Sequence, residues 1–265
     1  MPAQINHIAI ISHQWYLLAK FYESLFGLRS PGDSPAVSAQ SVGDGNVGLQ
    51  ILPRRDGYIG GLDHFGMSVD DLGVVEKRLR KYTGSNIVKR PSSRPFAAYS
   101  ANDPDGNHFD LAERSGDNLK EVYAEGTWQQ DRTFNKYAMR TMNPERVAEF
   151  YAEVFELEQV PTREGQGFSV TDGTMTLSIM PWNMEHFVGV AIKRPGPEHI
   201  GFKVEDIEAF KTDAAKLAGE NPYLAPVPLG GSIESDVRRR LFEGGTTGKV
   251  QIADPDGVWI DVSDE

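Results

Sequence analysis

One segment of this chain occurs twice, and the repetition limits the folds open to it. Asp103-Pro104-Asp105-Gly106 runs into Asn107-His108-Phe109-Asp110, and Asp254-Pro255-Asp256-Gly257 runs into Val258-Trp259-Ile260-Asp261, 151 residues later. Other segments repeat at nearby offsets. Ile5 through Leu28 aligns without gaps on Phe134 through Leu157, with Phe21-Tyr22 falling on Phe150-Tyr151. Leu49-Gln50-Ile51-Leu52-Pro53 falls on Leu177-Ser178-Ile179-Met180-Pro181, and Asp63-His64-Phe65-Gly66 on Glu198-His199-Ile200-Gly201. Repeated units of this size fix an architecture before any single residue is interpreted.

The repeats divide the chain into four modules, and periodicity within each is read the same way. Ile5 to Ile11 is a short apolar strand. From Gln14 to Leu25, the residues Leu17, Leu18, Phe21, Tyr22 and Leu25 recur at helical spacing, and Gly27 ends the helix. Val37 to Val42 and Val47 to Leu52 read as strands around the turn Gly43-Asp44-Gly45-Asn46. The second module repeats this order with strand Leu62 to Val69, helix Leu72 to Tyr82 and a last strand from Asn107 to Ala112. Helices Glu145 to Val154 and Ile207 to Leu217 are expected in the second half, with insertions at Trp182 to Pro197 and Asn221 to Lys249. The fold expected is α+β: tandem βαβββ modules in two domains, each with an eight-stranded cupped mixed sheet and outer helices. The domains expected are residues 1–115 (modules 3–55 and 62–115) and 132–265 (modules 132–182 and 198–265). The polar segment 116–131, with room for a short helix, joins them.

Composition narrows the function classes. A net charge of −11 argues against a nucleic-acid partner. No apolar run approaches the roughly 20 residues that span a bilayer, and no basic stretch followed by an apolar one opens the chain. A cytoplasmic protein without a membrane partner is therefore expected, and a homodimer is compatible with the sequence. The absence of cysteine excludes disulfides, thiolate ligands and Cys nucleophiles.

Strand alternation selects the side chains able to face the interior of a cup. Phe109 and Leu111 share the packing face, so His108, Asp110 and Ala112 share the other. Glu113 falls on the packing side, which makes Asp110 the better ligand. Phe65, Met67 and Val69 likewise alternate with His64, Gly66 and Ser68, and Gln50 opposes Val47, Leu49 and Ile51. His7 lies on a strand that is apolar on both faces. His7, Gln50, His64 and Asp110 thus each take one inward position on four strands. Each alone reads as a buried polar group satisfied by hydrogen bonds; together they read as a metal site, and their nitrogen and oxygen donors suit divalent Mn, Fe, Co, Ni or Zn. The matching positions in the second half are Lys136, Ser178, His199 and Asp261. An ammonium repels a cation, so that site is expected to bind no metal and Lys136 to pair with Asp261 or turn to solvent.

The order of strand, helix and three strands, repeated four times, resembles the vicinal oxygen chelate superfamily of glyoxalase I, methylmalonyl-CoA epimerase, fosfomycin-resistance proteins and extradiol dioxygenases. The resemblance covers nearly the whole chain. It rests on the His-containing strands, the Phe-Tyr helix and the two Asp-Pro-Asp-Gly turns. It implies a metal in a cup formed by two paired modules, and His-Gln-His-carboxylate is similar to the ligand set of methylmalonyl-CoA epimerase, with Asp110 where that set has Glu. Proton transfer beside a carbonyl, of the isomerase, epimerase or lyase kind, is the chemistry expected on a small substrate, with Asp110 and Gln50 as catalytic candidates. Fe(II) ring cleavage of a catecholic substrate is the alternative, since His7, His64 and Asp110 form a two-His-one-carboxylate set. Against it, extradiol enzymes hold iron in the C-terminal domain and place an acid–base His near the position of Gln50. Non-catalytic sequestration of a small molecule is the third reading. Weaker candidates are His13, read as a solvated helix-start residue, His186, read as a loop residue, and His108, which could face the cup beside the ligands or as a proton donor; Arg90, Arg94 and Arg238-Arg239-Arg240 read as solvated charges, one of which could pair with an anionic substrate.

Overall fold

The computed structural model describes residues 2–29, 40–82, 84–91, 94–115, 120, 128–163, 165–184, 194–227 and 229–265. His186, residues 37–39 of the expected second strand and most of the 116–131 segment lie outside the described residues. Numbered in chain order, the first module contributes β1 (Gln4–Ser12), α1 (Trp15–Phe26), β2 (Gln40–Gly43) and β3 (Gly48–Pro53). The second adds β4 (Gly61–Val69), α2 (Leu72–Leu79), β5 (Ile87–Lys89), β6 (Tyr99–Asn102) and β7 (His108–Glu113). The second half follows with β8 (Thr133–Thr141), α3 (Pro144–Phe155), β9 (Glu158–Val160), β10 (Phe168–Thr171), β11 (Thr176–Pro181) and β12 (Gly196–Lys203). It ends with α4 (Ile207–Glu220), α5 (Ile233–Gly245), β13 (Val250–Ala253) and β14 (Trp259–Ser263).

Two mixed sheets result, in the orders β2-β3-β1-β4-β7-β6-β5 and β13-β14-β12-β8-β11-β10-β9. In each, the opening strands of two modules pair antiparallel at the centre, β1 with β4 and β8 with β12. Each is flanked by a parallel partner, β3 and β7 in one sheet, β11 and β14 in the other. Among the described residues each sheet has seven strands rather than the eight expected. An isolated bridge adds to one edge of each, Arg29 with Gly43 and Val227 with Ala253. The pairings there are too short to form a strand.

Alternation decides which face is core. Ile8, Leu49, Phe65 and Phe109 are fully buried on one face, while His7, Gln50, His64 and Asp110 occupy the other. The apolar faces of both sheets and the helices between them form one continuous core. Phe26 of α1 stacks on Phe202 of β12 with ring centroids 3.8 Å apart, and Phe155 of α3 meets Phe109 of β7 edge-on at 5.5 Å. Each half thus lends its first helix to the other's sheet. The four helices expected from periodicity are present within a few residues of their predicted ends. α5 was not expected. It begins at Ser232, whose hydroxyl accepts from Ser235 N, and it buries Phe242. No described helix is long and apolar enough to cross a membrane.

Candidate metal centre

β1, β3, β4 and β7 lie side by side, so one inward residue on each meets over a single patch of sheet. Gly66 of β4 pairs with His7 of β1 and with Asp110 of β7. A Cβ at that position would overlap the His7 ring, so glycine is what admits the imidazole. The Nε2 and carboxylate donors of His7, His64 and Asp110 lie within 4.8 Å of one another, and all three residues are buried. His64 Nε2 is 3.2 Å from Asp110 Oδ2, and His7 Nε2 is 3.9 Å from the same oxygen.

Each histidine is oriented by the polar residue before it. Asn6 Oδ1 lies 2.8 Å from His7 Nδ1, and Asp63 Oδ2 lies 2.6 Å from His64 Nδ1. With Nδ1 engaged, Nε2 points toward the carboxylate; an outer carboxylate or carbonyl of this kind fixes the tautomer of a ligating imidazole. His7 Nε2 is buried without a hydrogen-bond partner. An orphaned nitrogen beside a second imidazole and a carboxylate fits a cation. Donors about 2.0–2.2 Å from one ion stand about 3 Å apart when adjacent; the His64–Asp110 separation matches this, His7 would need to move closer, and Arg90 Nη1 would need to yield a carboxylate oxygen. Mn, Fe, Co, Ni and Zn all accept such a donor set.

Burial lowers the pKa of His7, which keeps it neutral and able to coordinate. Burial also opposes charge on His64, but the flanking Asp110 and Asp63 outweigh it and raise its pKa to about 9. Desolvation would push Asp110 up; contacts with His108, His64 and His7 instead hold it well below the usual carboxylate range. Arg90 adds to this, with Nη1 at 2.6 and 2.5 Å from the two carboxylate oxygens, and Ser100 donates to Oδ1 at 3.1 Å. So held, Asp110 stays ionised and is a weak base.

Gln50 lines the same cavity. Its Oε1 accepts from Ser41 Oγ at 2.6 Å, while Nε2 is buried without a partner. The amide thus offers a donor to the cavity rather than the oxygen expected of a ligand. Because the Ser41 hydroxyl can also accept, turning the amide over would present Oε1 instead.

The remaining candidates fall outside the centre. His108 is half-exposed, 3.6 Å from Asp110 Oδ1, and is not among the residues lining the cavity. His13 is exposed, its Nε2 3.0 Å from Arg54 Nη1. Arg239 pairs with Glu243 along α5. Arg90 and Arg94, by contrast, line the cavity. The sequence reading passed over Asn6, Asp63 and Ser41. A signal for the first two existed: a polar residue directly before each histidine in an otherwise apolar strand.

The second half shows the same frame filled differently. Lys136 Nζ donates to Asp261 Oδ2 at 2.9 Å, as its position implied. Gly248 N and Gln251 Nε2 donate to the same carboxylate at 3.1 Å. His199 Nδ1 lies 2.9 Å from Glu198 Oε2, and the Phe242 ring from α5 packs 4.9 Å from the imidazole. What sets this constellation apart from the first is that Lys136 replaces one imidazole and a phenyl ring packs on the other.

No family model and no curated protein matches the sequence. Solved structures do. The chain is similar to the Mn(II)-bound glyoxalase from Novosphingobium aromaticivorans, at 12% identity over 98% of this chain and 82% of that one, with a TM-score of 0.66. It is similar to the halotolerant catechol dioxygenase BphC at 14% identity over 99% and 86% of the two chains, with a TM-score of 0.61. A xylose isomerase-like TIM barrel/4-hydroxyphenylpyruvate dioxygenase fusion protein also matches, at 15% identity and a TM-score of 0.62 over 99% of this chain; the chain spans about half of it, 48%. Paired βαβββ modules, one continuous core and these likenesses agree: the chain has the two-domain fold of the vicinal oxygen chelate superfamily.

Proposed function

We propose that this protein is a metal-dependent enzyme acting on a small molecule that presents two neighbouring oxygens. The reaction proposed is proton transfer beside a carbonyl, of the isomerase, epimerase or lyase kind. The observation that carries the reading is the buried set of His7, His64 and Asp110, opening onto a cavity of about 430 Å³. His7, His64 and Asp110 would hold one divalent ion, with Gln50 a fourth or water-mediated ligand if its amide turns over. A bound ion there supplies a Lewis acid that stabilises developing enolate charge. The proton leaving the carbon would pass to a water in the cavity, and the chain's own residues position the donors. Asn6 and Asp63 hold the imidazoles, and Arg90 and Ser100 hold Asp110. The unpartnered Gln50 amide can donate to a substrate oxygen as it gains negative charge, a preorganised donor of the kind that lowers such barriers. Ile11, Leu52, Pro53 and Phe96 furnish apolar walls that exclude water from the reacting end.

Ring cleavage with Fe(II) is the second reading, favoured by the two-His-one-carboxylate donor set, which suits non-haem iron. Against it, among the described residues the only histidines lining the cavity are His7 and His64, both taken as ligands, so none of these supplies a third imidazole as acid–base group. Metal analysis of protein purified without chelator, followed by two assays, separates the readings. Mn, Co, Ni or Zn with solvent deuterium exchanged into a carbonyl substrate supports proton transfer. Iron with oxygen uptake on catechols supports ring cleavage, and a chain that takes up no divalent metal rejects both.

A further inference from the structure

Charge inside the N-terminal cavity runs opposite to charge on the chain as a whole. The protein carries −11, yet the side chains lining this cavity include three guanidiniums, Arg55, Arg90 and Arg94, against one carboxylate, Asp110. Arg90 is bonded to that carboxylate through Nη1, and its side chain is only 35% exposed. The cavity is therefore positive before any metal enters, and cations gathered in a low-dielectric recess focus the field on an anion. An acidic surface around a basic recess also sets the sign of ligand the recess can draw in.

Arg55 and Arg94, unlike Arg90, are not bonded to Asp110, and both line the cavity. Phe96 joins Arg94 to the metal end of the cavity: its ring centroid is 5.1 Å from the His7 ring, and the Arg94 guanidinium carbon lies 6.0 Å from the same Phe96 ring. Arg55 comes from the turn after β3. That turn is fixed by Tyr58 N donating to Arg55 O at 3.0 Å and by Arg54 Nε donating to Tyr58 O at 2.9 Å. The apolar side chains of Ile11, Leu52, Pro53 and Phe96 line the same cavity. The cavity thus combines a donor set, apolar walls and guanidiniums.

We infer that the ligand of this cavity is a small organic oxyanion, a carboxylate or phosphate on an apolar body, whose anionic group is bound by Arg55 and Arg94. Guanidinium pairs bind such groups through parallel charge-assisted hydrogen bonds, which a neutral isostere cannot form. The orientation, with any chelating oxygens toward His7, His64 and Asp110, rests on the metal-dependent reading above. The requirement for an anion rests on the arginines alone.

Isothermal titration calorimetry on the full chain, both chelator-treated and metal-loaded, tests this with matched probes: phenylacetate, phenyl phosphate and neutral phenylacetamide. At least one anion should bind about tenfold more tightly than phenylacetamide in both preparations, and which one does so names the oxyanion. Arg55→Gln and Arg94→Gln should each weaken that anion about fivefold, with phenylacetamide unchanged, and the double variant should erase the discrimination. Circular dichroism confirms that the variants are folded. Equal binding of phenylacetamide and both anions, no binding of either anion at millimolar concentration, or discrimination that survives in the double variant overturns the inference. Failure of the metal reading looks different: 3,4-dihydroxyphenylacetate binds metal-loaded protein no more tightly than phenylacetate does, while the anion preference persists.

Discussion

Tyr22 on α1 donates its hydroxyl to the Asp254 carboxylate at 2.9 Å, bridging residues 232 positions apart. Tyr151 on α3 stands in the same relation to Asp103, at 3.5 Å. The two most conspicuous repeats of the chain, the Phe-Tyr pair and the Asp-Pro-Asp-Gly turn, are therefore the two sides of one contact, made twice across the interface between the halves. Within each turn the first Asp also accepts from the backbone: Asp254 from Val258 N and Asp256 N, and Asp103 from Asn107 N and Asp105 N. The glycines at 106 and 257 close the turns at a φ of 89°, which L side chains rarely adopt.

Stability should depend on pH through Asp254. Burial raises its pKa to about 7 in the folded protein, partly offset by the hydrogen bonds it accepts. An unfolded Asp titrates near 3.9, so the folded state holds this proton more tightly. The contribution is fully present below about pH 4 and is lost as pH rises through about 7. Denaturant titrations from pH 4 to 8 should show Asp254→Asn with a flatter profile than the parent chain across that window. Identical slopes would assign the pH dependence elsewhere.

Metal content should collapse in His64→Ala and in His7→Ala, because among the described residues no other imidazole lines the cavity to replace them. Gln50→Ala should be milder, about tenfold in affinity or less, since water can take the place of an amide. Elemental analysis of the purified variants checks this. Full occupancy in His64→Ala would remove His64 from the ligand set.

Gly66→Ala should act on the centre through shape alone. Its methyl would overlap the His7 ring, forcing the imidazole away from Asp110 at a cost of about 1–3 kcal/mol in stability and a larger loss in metal uptake. Gly201→Ala is the matched control: its methyl would lie 2.5 Å from Asn135 Oδ1 and 2.6 Å from Lys136 Cβ. That variant should lose stability while retaining metal. If the two variants lose metal equally, the difference assigned to the halves is wrong.

Substitutions in the second half should change stability rather than turnover. Lys136→Ala leaves Asp261 buried without its cation, at a cost of about 3 kcal/mol. Phe242→Ala removes a fully buried ring from above His199, at about 3–5 kcal/mol. Thermal melts should register both, with turnover per folded molecule unchanged. A metal ion bound at His199 and Asp261, or activity lost from His199→Ala without loss of stability, would reverse the assignment.

The sequence by itself determined what strand parity and the internal repeats encode. Strand parity put His7, Gln50, His64 and Asp110 on the face opposite Ile8, Leu49, Phe65 and Phe109, because successive side chains on a strand point to opposite sides. The repeats matched Lys136 to His7, and charge alone then predicted its pair with Asp261. What only the tertiary structure decided are contacts between groups that share no local pattern. Arg90 is recruited to Asp110 from the segment after β5, which holds the carboxylate ionised. The Gln50 amide is directed by Ser41 on the neighbouring strand. α5 folds an insertion over His199, since burying Phe242 needs the floor that the second sheet provides. Tyr22 finds Asp254 only because the apolar faces of both halves close on one core, an association set by surface complementarity over the whole interface and by no spacing along the chain.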